Sequence, residues 1–125
     1  IAPRMKAQGS GAIINISSTA AMKPSPGSQP YGAAKAGLNC ITGAYAHAYG
    51  PEVRVNCIMA GPFLTDISKA WDMEAFGKRA ATMALKRGGQ PDEVVGAALY
   101  FASGASSFTT GSVLAVDGGW LGSGD

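Results

Sequence analysis

Apolar positions along this chain come in short, dense runs separated by longer stretches of mixed character. Ala12-Ile13-Ile14-Asn15-Ile16-Ser17 is apolar on both alternating sets of positions, as in a strand covered on two faces. Val53-Arg54-Val55-Asn56-Cys57-Ile58 gives a second strand and Val113-Leu114-Ala115-Val116 a third. From Tyr31 to about Tyr49 the chain is rich in alanine, with Leu38, Ile41, Tyr45 and Tyr49 at helical spacing, and Gly50-Pro51 ends that helix. Residues 1–8 read as the last turns of another helix, closed by Gly9-Ser10-Gly11. The stretch 19–30 holds three prolines and Gly27, so it reads as a loop. Residues 66–84 read as an interrupted helix with Gly77 as its weak point. A further helix opens near Pro91-Asp92-Glu93 and runs to about Ala102, with proline suited to a first turn and two acids at the positive end of the dipole.

Strand, helix, strand, helices, strand is the order of a parallel sheet with right-handed crossovers, an α/β fold. Ligands in such sheets lie beyond the carboxyl ends of the strands. Those ends carry Ser17-Ser18, Ala60-Gly61 and Asp117-Gly118, so three polar or glycine-rich segments are expected on one rim.

Composition narrows the function. At 125 residues the chain is one ordinary domain at most. Hydrophobic residues make up 46% and charged residues 14%, which suits a packed core and argues against disorder. The net charge of +2 comes from scattered lysines and arginines, with no cluster that would seek nucleic acid or an anionic membrane. No apolar run is long enough to span a bilayer, and no signal peptide opens the chain. Cys40 and Cys57 both sit in apolar stretches and read as reduced core residues, which fits a cytoplasmic setting.

The chemistry concentrates in Tyr31-Gly32-Ala33-Ala34-Lys35. A spacing of i, i+4 at a helix start puts both side chains on one face. A free phenol ionises near pH 10, too high for ready proton exchange at neutral pH, and a neighbouring ammonium favours the phenolate. Such a pair suits general acid–base work. Ser18, at the end of a strand, offers a hydroxyl that could bind a substrate oxygen.

Tyr-x-x-x-Lys is a common spacing, but it does not stand alone. Asn15-Ile16-Ser17-Ser18, Tyr31-x-x-x-Lys35-Ala36-Gly37-Leu38, Arg54-Val55-Asn56-Cys57-Ile58 and Val116-Asp117-Gly118-Gly119 follow in one order. Together they resemble the short-chain dehydrogenase/reductase family of classical type, over essentially the whole chain. The resemblance implies a Rossmann-like doubly wound parallel sheet of which residues 1–125 supply the C-terminal half, with three parallel strands and crossover helices. It implies an NAD- or NADP-dependent oxidoreductase that moves a hydride between the cofactor and a small-molecule carbonyl or secondary alcohol. Tyr31 would be the acid/base. Lys35 would promote its ionisation and bind the nicotinamide ribose, and Ser18 would orient the substrate. Ala60, Gly61, Phe63 and Thr65 match the family's Pro-Gly-x-x-x-Thr stretch, which would touch the nicotinamide carboxamide. The family forms homodimers or homotetramers, and the helix 31–49 is normally a dimer face.

Three departures accompany the resemblance. The glycine-rich phosphate loop is missing, because Gly9-Ser10-Gly11 precedes a strand instead of opening a helix. The family's catalytic asparagine would fall before Ile1. Ala60 stands where the family has proline. The sequence therefore reads as a piece of an oxidoreductase. A competing reading is a non-catalytic remnant that serves as an oligomerisation or interaction module.

Other candidates carry less. His47 sits mid-helix among alanines, and Ser18 lacks the Gly-x-Ser-x-Gly frame of a hydrolase nucleophile. Asp66, Asp72 and Glu74 read as helix-start residues that face solvent, and one histidine gives little support to a metal site. Gly88-Gly89 reads as a turn before a helix. Trp71, Met73 and Phe76 read equally as a substrate lid or as ordinary helix packing. Asp117-Gly118-Gly119-Trp120 reads as a turn.

Overall fold

In the computed structural model, residues 1–123 are described. Strands β1 (Gly11–Ser18), β2 (Val53–Ala60) and β3 (Val113–Val116) form one parallel sheet in the order β1-β2-β3. Four helices accompany it: α1 (Ala2–Ala7), α2 (Gln29–Tyr49), α3 (Met73–Ala80) and α4 (Val95–Ala102). This is the Rossmann-like parallel arrangement expected from the alternation of runs.

The central strand explains the layers. Val53, Val55, Cys57, Ile58 and Met59 of β2 are all buried. Val53 and Val55 pack with Ala46 of α2, together with Met5, Ile13 and Tyr49. Alternate residues point to the other face, where Arg54 and Asn56 meet the segment after α4. Arg54 donates to Ser106 Oγ at 2.6 Å and to the Ser103 carbonyl at 3.2 Å. Asn56 donates to the Thr109 carbonyl at 2.9 Å and accepts from Ser112 N–H at 3.1 Å. Both halves of the buried amide are thus satisfied. These bonds fix the loop that delivers β3 beside β2. Phe101, 1% exposed, anchors α4 from within.

On the α2 side, Asn15 donates to Thr42 Oγ1 at 2.9 Å, and Thr42 donates to the Leu38 carbonyl at 2.8 Å. The buried Ser17 donates to the Lys35 carbonyl at 3.0 Å. Strand β1 is therefore pinned to α2 along its length.

Four expectations shift. Helix α2 begins at Gln29, two residues early, because Pro30 in its first turn needs no partner for the N–H it lacks. The loop 19–30 opens with a 3-10 turn over Thr19–Ala21. The interruption in 66–84 falls at Trp71, after a 3-10 turn Asp66–Ala70, and not at Gly77, which lies inside α3. The Asp72 carboxylate accepts from Glu74 and Ala75 N–H at 3.0 and 3.1 Å, so its cap sets the start of α3. Cys40 is exposed and only Cys57 is buried. The inward positions of α2 are Thr42 and Ala46, and two residues from Thr42 is about 200° around a helix.

Candidate active site

The strand register brings the expected rim together. Ser18 pairs with Ala60 and Ala60 with Val116, so the ends of all three strands share one rung. Beyond that rung the chain turns into the segments that carry the candidate chemistry.

After β1, Ser18 caps the short 3-10 turn, its hydroxyl accepting Ala20 N–H at 3.2 Å. Helix α2 starts directly against this turn. A Cβ on the buried Gly32 would stand 3.0 Å from the Ala20 carbonyl, so a side chain there would push the helix start away. That closeness puts the start of α2, with Tyr31, against the turn that Ser18 caps. Tyr31 is half-exposed, and Lys35 Nζ lies 5.7 Å from its ring centroid. The Lys35 ammonium donates to the Ile16 carbonyl at 2.8 Å. Ser18, Tyr31 and Lys35 make no direct hydrogen bond to one another among the described residues. The two adjacent serines divide their work: Ser17 is buried and bonded to α2, whereas Ser18 faces open space.

After β2, the chain from Ala60 to Thr65 forms the opposite wall. Gly61 N–H donates to the Val116 carbonyl at 2.9 Å. A Cβ on Gly61 would stand 2.5 Å from the Asp117 Cα, so glycine is what permits β2 and the turn after β3 to close up. Gly89 locks the same loop from outside. Leu64 N–H donates to the Gly89 carbonyl at 2.8 Å, and Gly89 N–H donates to the Pro62 carbonyl at 3.0 Å. Gly88-Gly89 is thus more than a turn before a helix; the Phe63 ring lies where a Gly89 side chain would go. After β3, the Asp117 carboxylate accepts Gly119 and Leu121 N–H, both at 2.9 Å, which makes the expected turn.

A cleft of about 710 Å³ lies between these walls. Ser18, Tyr31, Ala60, Gly61, Phe63 and Thr65 all border it, and Lys35 does not. Trp71 and Phe76, their ring centroids 5.3 Å apart, border it too, whereas Met73 does not. Lys23, Arg79 and Trp120 complete its rim. Sequence reasoning gave no site role to Lys23, Arg79 or Gly32 and read Trp120 only as part of a turn; the signal available for Gly32 was its place inside the Tyr-x-x-x-Lys element.

The remaining candidates settle elsewhere. His47 is exposed on α2. Asp66 and Glu74 pair with Lys69 and Lys78 at the surface. Burial pushes the Cys57 thiol above its usual range, so it stays protonated in the core. Glu93 takes a fork-to-fork bond from Arg87 at 2.6 and 2.7 Å, which holds its carboxyl down at about 2.

Comparison with known proteins agrees with this architecture. Residues 1–121 match the family described as enoyl-(acyl carrier protein) reductase. The chain belongs to the short-chain dehydrogenase/reductase family. This member is 44% identical over 120 residues to the 3-oxoacyl-[acyl-carrier-protein] reductase FabG of Chlamydia trachomatis, covering 95% of this chain and 48% of the relative. It is 34% identical over 122 residues to human dehydrogenase/reductase SDR family member 4, covering 95% and 44%. A gluconate 5-dehydrogenase from Burkholderia cenocepacia, solved in complex with NADP and tartrate, superposes with a TM-score of 0.93 at 34% identity, over 98% of this chain and 49% of that one. The chain thus spans about half the length of the short-chain dehydrogenase/reductase relatives it matches.

Proposed function

We propose that these residues form the C-terminal part of a single NAD(P)-binding domain in an oxidoreductase that interconverts a carbonyl and a secondary alcohol. The observation that carries the reading is the meeting of Ser18, Tyr31 and Thr65 on one cleft at the carboxyl rim of the sheet. A bound NAD or NADP supplies or accepts the hydride. The Tyr31 hydroxyl gives a proton to the carbonyl oxygen in reduction and takes it back in oxidation. Ser18 holds that oxygen and stabilises the charge that gathers on it. Lys35, tied to Ile16, holds the cationic field beside the Tyr31 ring.

The opposite wall suits a nicotinamide carboxamide. Thr65 and Phe63 border the cleft, and Thr65 Oγ1 and Phe63 N–H have no hydrogen-bond partner among the described residues. A primary amide needs both a donor and an acceptor, and these two groups supply them. Ala60 and Gly61 complete that wall through backbone alone.

Assembly as a homodimer or homotetramer through α2 is part of the same reading. Ile41 and Tyr45, four residues apart on one face of α2, are 40% and 45% exposed. A cytoplasmic setting fits two cysteines that are both free.

The test is direct. The full-length protein carrying this chain is mixed with NADH or NADPH and a panel of ketones and aldehydes, and the loss of reduced-nicotinamide absorbance is followed. Substrate-dependent oxidation of the cofactor is expected. No oxidation with any carbonyl, in a preparation that binds the cofactor, would contradict the proposal.

A further inference from the structure

We propose that the substrate of this cleft carries an anionic group, a carboxylate or a phosphate, held at the rim by Lys23 and Arg79 beside Trp120. The inference rests on the oxidoreductase reading and names the substrate class of the same site.

Three elements far apart in sequence converge here. Lys23 follows the 3-10 turn after β1, Arg79 lies in the last turn of α3, and Trp120 closes the turn after β3. Lys23 Nζ stands 4.3 Å from the Trp120 ring centroid and Arg79 Cζ 5.6 Å from the same centroid. Those two distances bound the separation of the cationic centres below about 10 Å. A tryptophan face attracts cations and so positions both side chains without neutralising them. Lys23 is fixed further, donating to Ser123 Oγ at 2.9 Å and to the Ser123 carbonyl at 3.4 Å. Neither of these partners is charged, and among the described residues Lys23 makes no salt bridge.

The charge balance of the lining decides the sign. Among the described residues, the charged ones bordering the cleft are Lys23, Asp72 and Arg79. The Asp72 carboxylate is committed to the two N–H groups at the start of α3. Two cations thus face a cleft whose remaining lining is aromatic, aliphatic or hydroxylic. The same cleft holds Ser18 and Tyr31, so one molecule can present a carbonyl to those hydroxyls and an anion to the rim.

The experiment compares charged and uncharged probes in the full-length protein. Acetoacetate, 4-oxopentanoate and 5-oxohexanoate are each reduced beside their methyl esters, a series that spans several distances from carbonyl to anion. Dihydroxyacetone phosphate beside dihydroxyacetone gives the phosphate arm. We expect at least one anion to exceed its uncharged partner in kcat/KM by about tenfold or more, as one charge-assisted contact provides. Arg79→Met and Lys23→Met are expected to remove that preference through KM, to leave the uncharged probes within about twofold, and to leave cofactor affinity unchanged. Arg79→Lys should restore part of it. Which arm responds tells carboxylate from phosphate. Reduction of uncharged carbonyls with no preference at any chain length or in the phosphate arm overturns this inference and leaves the oxidoreductase reading intact. Loss of cofactor affinity in the Met variants overturns it as well, by assigning the cations to the cofactor. Failure to reduce any carbonyl, charged or not, falls on the oxidoreductase reading instead.

Discussion

Lys35 Nζ donates a 2.8 Å hydrogen bond to the carbonyl of Ile16, which joins the first turns of α2 to the end of β1. The bond spends one of three ammonium donors and holds the charge 5.7 Å from the Tyr31 ring centroid. A lysine that acted only as a brace would affect stability alone. Lys35→Met is expected to lower stability by about 0.5–1.5 kcal/mol, the scale of one such bond. It is also expected to lower kcat of the full-length protein by about a hundredfold or more, the scale of a lost acid–base contribution. Thermal unfolding and steady-state kinetics on the same preparation separate the two effects. A variant that melts early and turns over normally would leave Lys35 as a brace only.

Ser17 and Ser18 are neighbours with opposite surroundings. Ser17→Ala removes a buried bond to the Lys35 carbonyl and is expected to cost about 1 kcal/mol while changing kcat little. Ser18→Ala is expected to do the reverse: a near-normal melting temperature and a loss of kcat of about a hundredfold, as when one oxyanion donor is removed. Kinetics and melting curves for the pair check this. Interchanged phenotypes would move the site from Ser18 to Ser17.

Gly61 allows β2 and the turn after β3 to approach as closely as they do. A methyl group there meets backbone, which cannot swing aside as a side-chain tip can. Gly61→Ala is expected to destabilise by about 1–3 kcal/mol, the usual cost of forced overpacking. It should also raise KM for the cofactor, because the Ala60–Thr65 wall must shift. Chemical denaturation and cofactor titration give the two readouts.

The pH dependence of stability follows from Glu93. Arg87 and Gln90 N–H bond its carboxylate, and the folded value of about 2 lies below the ordinary value of 4.5. A carboxyl depressed on folding adds stability above its unfolded value and loses it as pH falls toward the folded one. The Arg87–Glu93 contribution should therefore be complete at neutral pH and fade between about 4.5 and 2. Both partners are substantially solvated, so the effect is small. Glu93→Gln should flatten the acid limb of the melting-temperature profile within that window. An unchanged limb would place the acid sensitivity elsewhere.

Much of this fold was legible because its strands are dense apolar runs that length and punctuation tell apart from helices. The three strands and α2 fall within two residues of expectation, and α4 ends where expected but starts about four residues later, after the 3-10 turn Pro91–Val94. The break at Trp71 was not legible, because Gly77 was the obvious weak point and Asp66, Asp72 and Glu74 all read as helix-start residues, with nothing local to single out Asp72 as the cap. The exposure of Cys40 was lost for a similar reason: an alanine-rich helix gives little contrast between its inner and outer faces. That Ser18, Tyr31 and most of the segment 60–65 would share one rim was legible from strand order and motif order. Gly32, Gly61 and Gly89 as spacers, and the meeting of Lys23, Arg79 and Trp120, depend on contacts between distant segments that no local pattern records.

The central claim is that Tyr31 handles the proton of a hydride transfer. The measurement is kcat and cofactor affinity for Tyr31→Phe in the full-length protein, which removes one oxygen from a half-exposed side chain and so spares the fold. The expected result is a fall in kcat of about a hundredfold to ten-thousandfold, the range for a lost general acid, with cofactor affinity within about threefold. Turnover near that of the unsubstituted protein would contradict it.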